Sequence, residues 1–275
     1  MKKILTIQDI SCVGQCSLTV ALPIISAMGV ETCILPTAIL STHTGGFSGY
    51  TFRDLTDDIP AISAHWQKEN IKFDGIYTGY LGSLKQINYI KDIIATFRND
   101  ENMILVDPAM ADNGMLYPGF DEEFVEGMKS LCSKANYLLP NITEASMILG
   151  TEYKEKYDKE YIENMLVSLS KLGPNYVLIT GVSFEDDKLG VAMYDKKNNK
   201  FDYYYNERIP RSFHGTGDIF ASAFFGSIVK GNSFYEAGKL AVDFTLEAIK
   251  ATLPDFDTHK YGVHFEEALW MLTKK

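Results

Sequence analysis

The stretch RSFHGTGDIFASAFFG, residues 211–226, places two glycines and an aspartate directly ahead of a run with scarcely a polar side chain. From residue 219 to residue 229 the chain is apolar nearly all round, so a helix here is buried on every side. The first turn of such a helix brings unpaired backbone N–H groups and the positive end of the dipole to one spot. Gly215 and Gly217 have no side chains to hold an anion away, so Gly215, Thr216 and Gly217 form a candidate anion hole for a phosphate oxygen. Asp218 would repel that anion unless it has another task. A carboxylate beside a held phosphoryl group can take the proton of an attacking hydroxyl, which makes Asp218 the candidate general base. The plainer alternative is an aspartate that stabilises the helix start and glycines that make a turn.

Upstream of this helix, short apolar runs alternate with helical patterns. Strands are expected at residues 4–7, 32–35, 75–78, 103–106, 137–139 and 176–180. Helices are expected at 17–28, 84–97 and 122–132, with two more inside 143–172. This repetition implies the α/β class, a mostly parallel sheet with helices on both faces. Residues 189–194 and 200–205, joined by DKKNN, read as an antiparallel hairpin at the sheet edge. Two helices follow Asp218, and a shorter one follows Gly262. No linker, low-complexity tract or internal repeat interrupts the pattern, so one domain over residues 1–275 is expected.

Composition narrows the partners. With 46% hydrophobic and 23% charged residues, the chain has the make-up of an ordinary soluble globular protein. Its net charge of −10, with no Lys/Arg cluster longer than a pair, argues against nucleic acid or an anionic membrane as the main partner. The opening MKKILTIQDIS is too short for a signal peptide or a membrane span. Cys12, Cys16, Cys33 and Cys132 show no CxxC spacing and no His at zinc-ligand distance. They read as free thiols of a cytoplasmic protein.

Ligands of an open α/β sheet bind beyond the carboxyl ends of its strands. Here those ends run into Asp9 and SCVGQ, then STHTGGFSG, TGYLGS, DPAMADNG, PNITE and TG. Turn chemistry accounts for some of the Gly and Asn, but not for so many acids and hydroxyls on one edge. Asp107 closes MILVD ahead of Pro108 with no cation near it in sequence, the pattern of a ligand for Mg²⁺ or a monovalent cation. Thr180, at the expected end of its strand, either offers a hydroxyl to a β-phosphate or is simply a β-branched strand residue. Asn141 and Glu144 have the spacing of a capping box.

Together, TIQDISCVGQ, LSTHTGG, TGYLGS, DPAMADNG, PNITEA and GTGD resemble the motifs of the pyridoxal and pyridoxamine kinase family, in its order, within the ribokinase-like superfamily. The resemblance runs from residue 4 to about residue 250. It implies a three-layer α/β/α fold, a homodimer, ATP as co-substrate, Mg²⁺ and a monovalent cation such as K⁺. By the same resemblance, Glu144 holds Mg²⁺ through water, Asn141 lies beside the nucleotide phosphates, and Asp112 is a nucleotide-site acid. His43 and Thr44 resemble the turn that contacts the pyridine ring, and Tyr80 either lies against that ring or is an ordinary half-buried aromatic.

Asp9 is the main departure. Related pyridoxal kinases commonly have Ser there and hydroxymethylpyrimidine kinases have Asp, so Asp9 is expected to bond a ring that donates, such as pyridoxamine or an aminopyrimidine. Leu139 replaces a frequent Thr and Ala111 a frequent Gly, which implies altered monovalent-cation dependence. The expected activity is phosphorylation of the hydroxymethyl group of a vitamin B6 form. The rivals are a hydroxymethylpyrimidine kinase and a catalytically silent B6-phosphate carrier. No hairpin pattern marks the β-lid that sugar kinases of this superfamily insert in the N-terminal third.

Overall fold

The computed structural model describes residues 1–259 and 261–273. In order, the chain forms β1 (Lys3–Val13), α1 (Leu18–Ala27), β2 (Glu31–Thr42), β3 (Phe52–Asp54), α2 (Ile59–Lys68), β4 (Gly75–Thr78), α3 (Leu84–Phe97) and β5 (Met103–Val106). There follow β6 (Ala111–Asp112), β7 (Met115–Leu116), α4 (Glu122–Cys132), β8 (Tyr137–Leu138), α5 (Ile142–Leu149) and α6 (Lys159–Ser170). The last elements are β9 (Tyr176–Val182), β10 (Lys188–Asp195), β11 (Lys200–Glu207), α7 (Thr216–Val229) and α8 (Phe234–Thr252), before a short 3-10 turn at Phe265–Met271. These elements group into two compact units, Met1–Gly79 with Ile209–Lys275, and Tyr80–Arg208.

In the first unit, β1 pairs in parallel with β2 on one side and β4 on the other, and β3 joins β2 antiparallel. Helix α7 is the apolar stretch of the opening motif, and every residue from Ile219 to Val229 is buried. Its surroundings explain why no polar face was needed. A Cβ on Gly75 of β4 would stand 2.9 Å from the Phe225 ring. A Cβ on Gly226 would stand 2.5 Å from the Met28 sulfur just past α1. Glycine at these two positions lets strand, α7 and α1 approach closely. Phe224 and Phe225 are fully buried, each worth about 1.5–3 kcal/mol of transfer free energy.

In the second unit, β5, β8 and β9 run parallel, and β9–β10–β11 continue antiparallel, with β11 at the edge as expected. Side-chain caps start its helices: Ser83 accepts from the Gln86 N–H, Asp121 from Phe124 and Asp158 from Tyr161. Each such cap satisfies one orphan donor and is worth about 1 kcal/mol.

The structure corrects several boundaries. β1 does not end at residue 7 and β2 does not end at residue 35. Asp9 therefore lies inside β1 rather than beyond it. It sits where the β1–β2 register slips: Gln8 faces Pro36 but Ile10 faces Ile39, so β2 contributes one extra residue. β3, α2 and the small β6–β7 hairpin were not expected. The antiparallel β2–β3 pair also supplies a hairpin in the N-terminal third, where the sequence shows no such pattern.

Candidate active site

Two helices of the first unit begin at the same place, and neither has a side-chain cap. Gly215, the residue before α7, has φ 76°, and a Cβ there would collide with the Gln15 carbonyl oxygen. Only glycine fits both constraints. Gly217 is the opposite case: no atom lies within 4 Å of where its Cβ would be. Packing does not require glycine at 217.

Asp218 is held from the start of α1. Ser17 adopts φ 54°, an unusual conformation for serine, and it donates from both its backbone and its side chain. Its N–H reaches Asp218 Oδ2 at 2.9 Å, and its hydroxyl reaches Asp9 Oδ1 at 2.6 Å. The Ser11 hydroxyl donates more weakly to Asp9 Oδ2 at 3.4 Å. Burial pushes the Asp218 carboxyl up to about 6; the Ser17 N–H pulls it down and the neighbouring Asp9 charge pushes it up. A carboxylate near 6 is mostly ionised at neutral pH yet takes up a proton more readily than an ordinary one. Asp9 itself is raised by burial against its serine hydrogen bonds. The Cys16 thiol, also between these acids, is pushed far up by burial and by the charges of Asp218 and Asp9. Burial and these charges hold it in the thiol form.

The loop after β2 packs against the same mouth. His43 is buried, and its Nδ1 accepts the Gly45 N–H at 3.1 Å. The ring proton then resides on Nε2, a buried atom with no partner among the described residues. Burial, and secondly His214, lower the His43 pKa, so the ring is neutral. Its centroid lies 5.2 Å from that of His214. A Cβ on Gly14 would stand 2.6 Å from the His43 ring, and one on Gly45 would stand 2.7 Å from the His214 ring. Thr44 is exposed beside them. The GG turn of STHTGG and the HGTG run, some 170 residues apart, thus meet through His214.

The second unit gathers the other expected residues. The capping box at α5 forms in full: Asn141 Oδ1 accepts the Glu144 N–H at 2.9 Å, and Glu144 Oε2 accepts the Asn141 N–H at 2.8 Å. Glu144 does more than cap, because its Oε1 takes the Met110 N–H at 3.2 Å, and Asn141 Nδ2 donates to the Ala111 carbonyl at 2.8 Å. These bonds tie the DPAMADNG loop to the start of α5. Burial raises the Glu144 pKa against the N–H groups of Asn141, Met110 and Ala111. Asp107, also buried, acts with Glu144 on the Cys132 thiol, raising it beyond the effect of burial alone.

A cleft of about 570 Å³ opens beside this loop, lined among others by Asp112, Asn141, Tyr157, Thr180, Phe184 and Arg208. Thr180 does not end its strand. β9 continues through Gly181 at φ 71°, a bulge that sets Val191 opposite Thr180 and Gly190 opposite Val182. The Tyr157 hydroxyl accepts the Ser183 N–H at 3.0 Å and braces that bulge. Tyr80 lies in this unit, its ring 5.7 Å from Phe120. Among the described residues, no group of three His, Cys, Asp or Glu side chains is placed to hold a metal, and no helix is long and apolar enough to cross a membrane.

The structure therefore brings Asp9, His43, Thr44, Gly215, Thr216, Gly217 and Asp218 together in the first unit. Tyr80, Asp107, Asp112, Asn141, Glu144 and Thr180 lie in the second. Sequence reasoning gave no role to Ser17, Gln15, His214 or Tyr157. Ser17 carried a usable signal, since it is a capping-type residue at a helix start. That its donors go to two aspartates, instead of to its own helix, has no sequence signature.

The family profile described as phosphomethylpyrimidine kinase matches residues 21–263. A hydroxymethylpyrimidine/phosphomethylpyrimidine kinase of Bacillus subtilis is 27% identical over 234 residues, covering 83% of this chain and 82% of the relative. A Bacteroides thetaiotaomicron protein assigned as a phosphomethylpyrimidine kinase, in a crystal form with pyridoxal, superposes with TM-score 0.95 at 40% identity, over 99% of this chain and 96% of the other. The pyridoxal kinase of Lactobacillus plantarum gives TM-score 0.92 at 30% identity, with coverage of 99% and 96%. The fold is that of the ribokinase-like α/β kinases. Within that class, the chain belongs to the phosphomethylpyrimidine kinase family, whose relatives include both pyrimidine and pyridoxal kinases.

Proposed function

We propose that the chain is a single kinase domain that transfers a phosphoryl group from ATP to the hydroxymethyl group of a vitamin B6 form. The observation that supports this most is Asp218: a buried carboxylate with a raised pKa, held by one N–H at the mouth of an uncapped helix. A carrier that only bound a phosphate would gain nothing from a charge there. In this reading Asp218 takes the proton of the attacking hydroxyl, while the N–H groups of Gly215, Thr216 and Gly217 hold the transferring oxygens. In this reading the cleft that Asp112, Asn141 and Thr180 line takes the nucleotide. The oxygen donors Asp107 and Glu144 suit Mg²⁺, which keeps most of its waters and arrives with phosphates. Both Glu144 oxygens accept N–H bonds, and in this reading its contact with the ion runs through water. The ion's contribution is to neutralise phosphate charge. A monovalent cation, a cytoplasmic location and a homodimer complete the reading. The exposed Val13, Ile39, Tyr50 and Phe52 around the β2–β3 edge supply apolar surface for a second copy, which sedimentation would count.

The second reading is a hydroxymethylpyrimidine kinase, favoured by the description of the family and by the aspartate at position 9. One substrate panel with ATP and Mg²⁺ separates the two. Pyridoxal, pyridoxamine or pyridoxine should give the highest kcat/KM, and a higher value for hydroxymethylpyrimidine would replace the first reading by the second.

Two substitutions probe the halves of the site. Asp9→Asn removes a charge that raises Asp218, so the acid limb of the pH–rate profile should move to lower pH. An unmoved limb would mean that Asp9 does not act on the base. Glu144→Gln should raise the Mg²⁺ concentration needed for half-maximal rate. If only thermal stability changes, Glu144 is a cap and loop tie and nothing more.

A further inference from the structure

We propose that Gln15 is a positioning residue that ties the C-terminal segment of the chain to the general base. The proposal rests on the reading of Asp218 given above. Gln15 lies two residues before Ser17, whose N–H holds Asp218, and it is fixed on every side. Its side-chain Nε2 donates to both Glu266 oxygens, at 2.8 and 3.0 Å. Its Oε1 faces His259 Nε2 at 2.8 Å, and since Oε1 can only accept, the histidine donates. Its backbone N–H donates to the Tyr261 carbonyl at 2.7 Å.

Its carbonyl oxygen occupies the space that any side chain at Gly215 would need. Gly262, at φ 143°, likewise leaves room for the Gln15 Cβ. From the other side, the Thr19 hydroxyl lies 2.8 Å from the Gly14 carbonyl and 2.7 Å from that of Cys16.

The tail that grips Gln15 is itself anchored. Val263 and Phe265 are buried, and the His264 N–H donates to the Thr252 hydroxyl at the end of α8 at 2.8 Å. The His259 ring packs on Tyr261 and His264, with centroids 4.1 and 3.9 Å away. One residue thus joins three distant segments: the 14–17 loop, the Gly215 turn and the tail at residues 259, 261, 262 and 266. Their shared consequence is the place of the Ser17 N–H. Gln15 does not touch Asp218; it sets where the donor to Asp218 sits.

The test compares Gln15→Ala, which removes the side-chain ties, with Gly262→Ala, which leaves the glutamine present but pushes a methyl group against its Cβ and Oε1. Wild type and Asp218→Asn run alongside, with ATP, Mg²⁺ and pyridoxal. Both loop variants should lose roughly tenfold in kcat, as small misplacements of catalytic groups do, while KM for ATP stays within about twofold. Losing the Ser17 N–H favours the protonated carboxyl, so the acid limb of kcat should move to higher pH in both variants. A merely structural tie would lower the melting temperature and leave that limb in place. Unmoved limbs and wild-type kcat in both variants would overturn the proposal, whatever happens to stability. Asp218→Asn keeps the two readings apart: if it is inactive, an unmoved limb counts against Gln15 alone. If it turns over at the wild-type rate, the base itself is wrong.

Discussion

Asp218→Asn should cut turnover by roughly 10²–10⁴, the range expected when a general base is removed, with ATP binding retained. Asparagine keeps the shape and can still accept the Ser17 N–H, so the loss is chemical, not structural. The same substitution should make the protein more stable at neutral pH. A carboxyl whose folded-state pKa is raised binds its proton more tightly folded than unfolded. That contribution is present below the ordinary carboxylate range and is lost as pH rises through about 6. Asparagine never ionises, so its advantage over aspartate grows across that interval and is complete above it. Melting curves at pH 5 and pH 8 read this directly, and a variant less stable than wild type at pH 8 would mean that the buried charge is compensated.

Gly217→Leu should show the same separation of stability from activity by another route. No atom lies within 4 Å of the position its Cβ would take, and glycine in a helix costs about 0.5–1 kcal/mol relative to a good helix former. The variant should therefore fold and melt no lower than wild type. Its side chain would stand over the first-turn N–H groups, and turnover should fall by roughly 10²–10³, as when an anion-hole donor is removed. Gly215→Ala is the contrast: it meets the Gln15 carbonyl oxygen and a φ of 76°, so it should lose stability as well. Full activity in Gly217→Leu would remove the helix mouth from the mechanism.

Much of this architecture is legible in the sequence because burial and periodicity coincide. The helix at Leu84–Phe97, the strand at Met103–Val106 and the helix at Glu122–Cys132 are bounded as their patterns indicate. Asn141 and Glu144 announce their capping box by spacing alone. In the sequence β2 reads as ending at residue 35 because Pro36, which lacks the N–H a strand interior uses, follows its apolar start. Here the bulge near Asp9 absorbs it, and the strand runs on to Thr42. β3 escaped because its three residues are all exposed and leave no alternation to read.

The site divides along similar lines. Glycines and acids at strand ends flag themselves, but the partners that tune them come from elsewhere in the chain. Ser17 acts on Asp218 across about 200 residues, and Gln15 meets Glu266 across about 250. Such pairings follow from the packing of α1 against α7 and of the tail against α8 and Gln15, which no local pattern encodes.

The most direct measurement follows the phosphoryl group itself. The protein is incubated with Mg²⁺, pyridoxal and ATP isotopically labelled on its terminal phosphoryl oxygens, and the products are weighed by mass spectrometry. The expected product is the phosphate ester of the pyridoxal hydroxymethyl group carrying the labelled oxygens, formed by wild type and roughly 10²–10⁴-fold more slowly by Asp218→Asn. Labelled inorganic phosphate with the ring left unmodified, or equal ester formation by Asp218→Asn, would contradict the account.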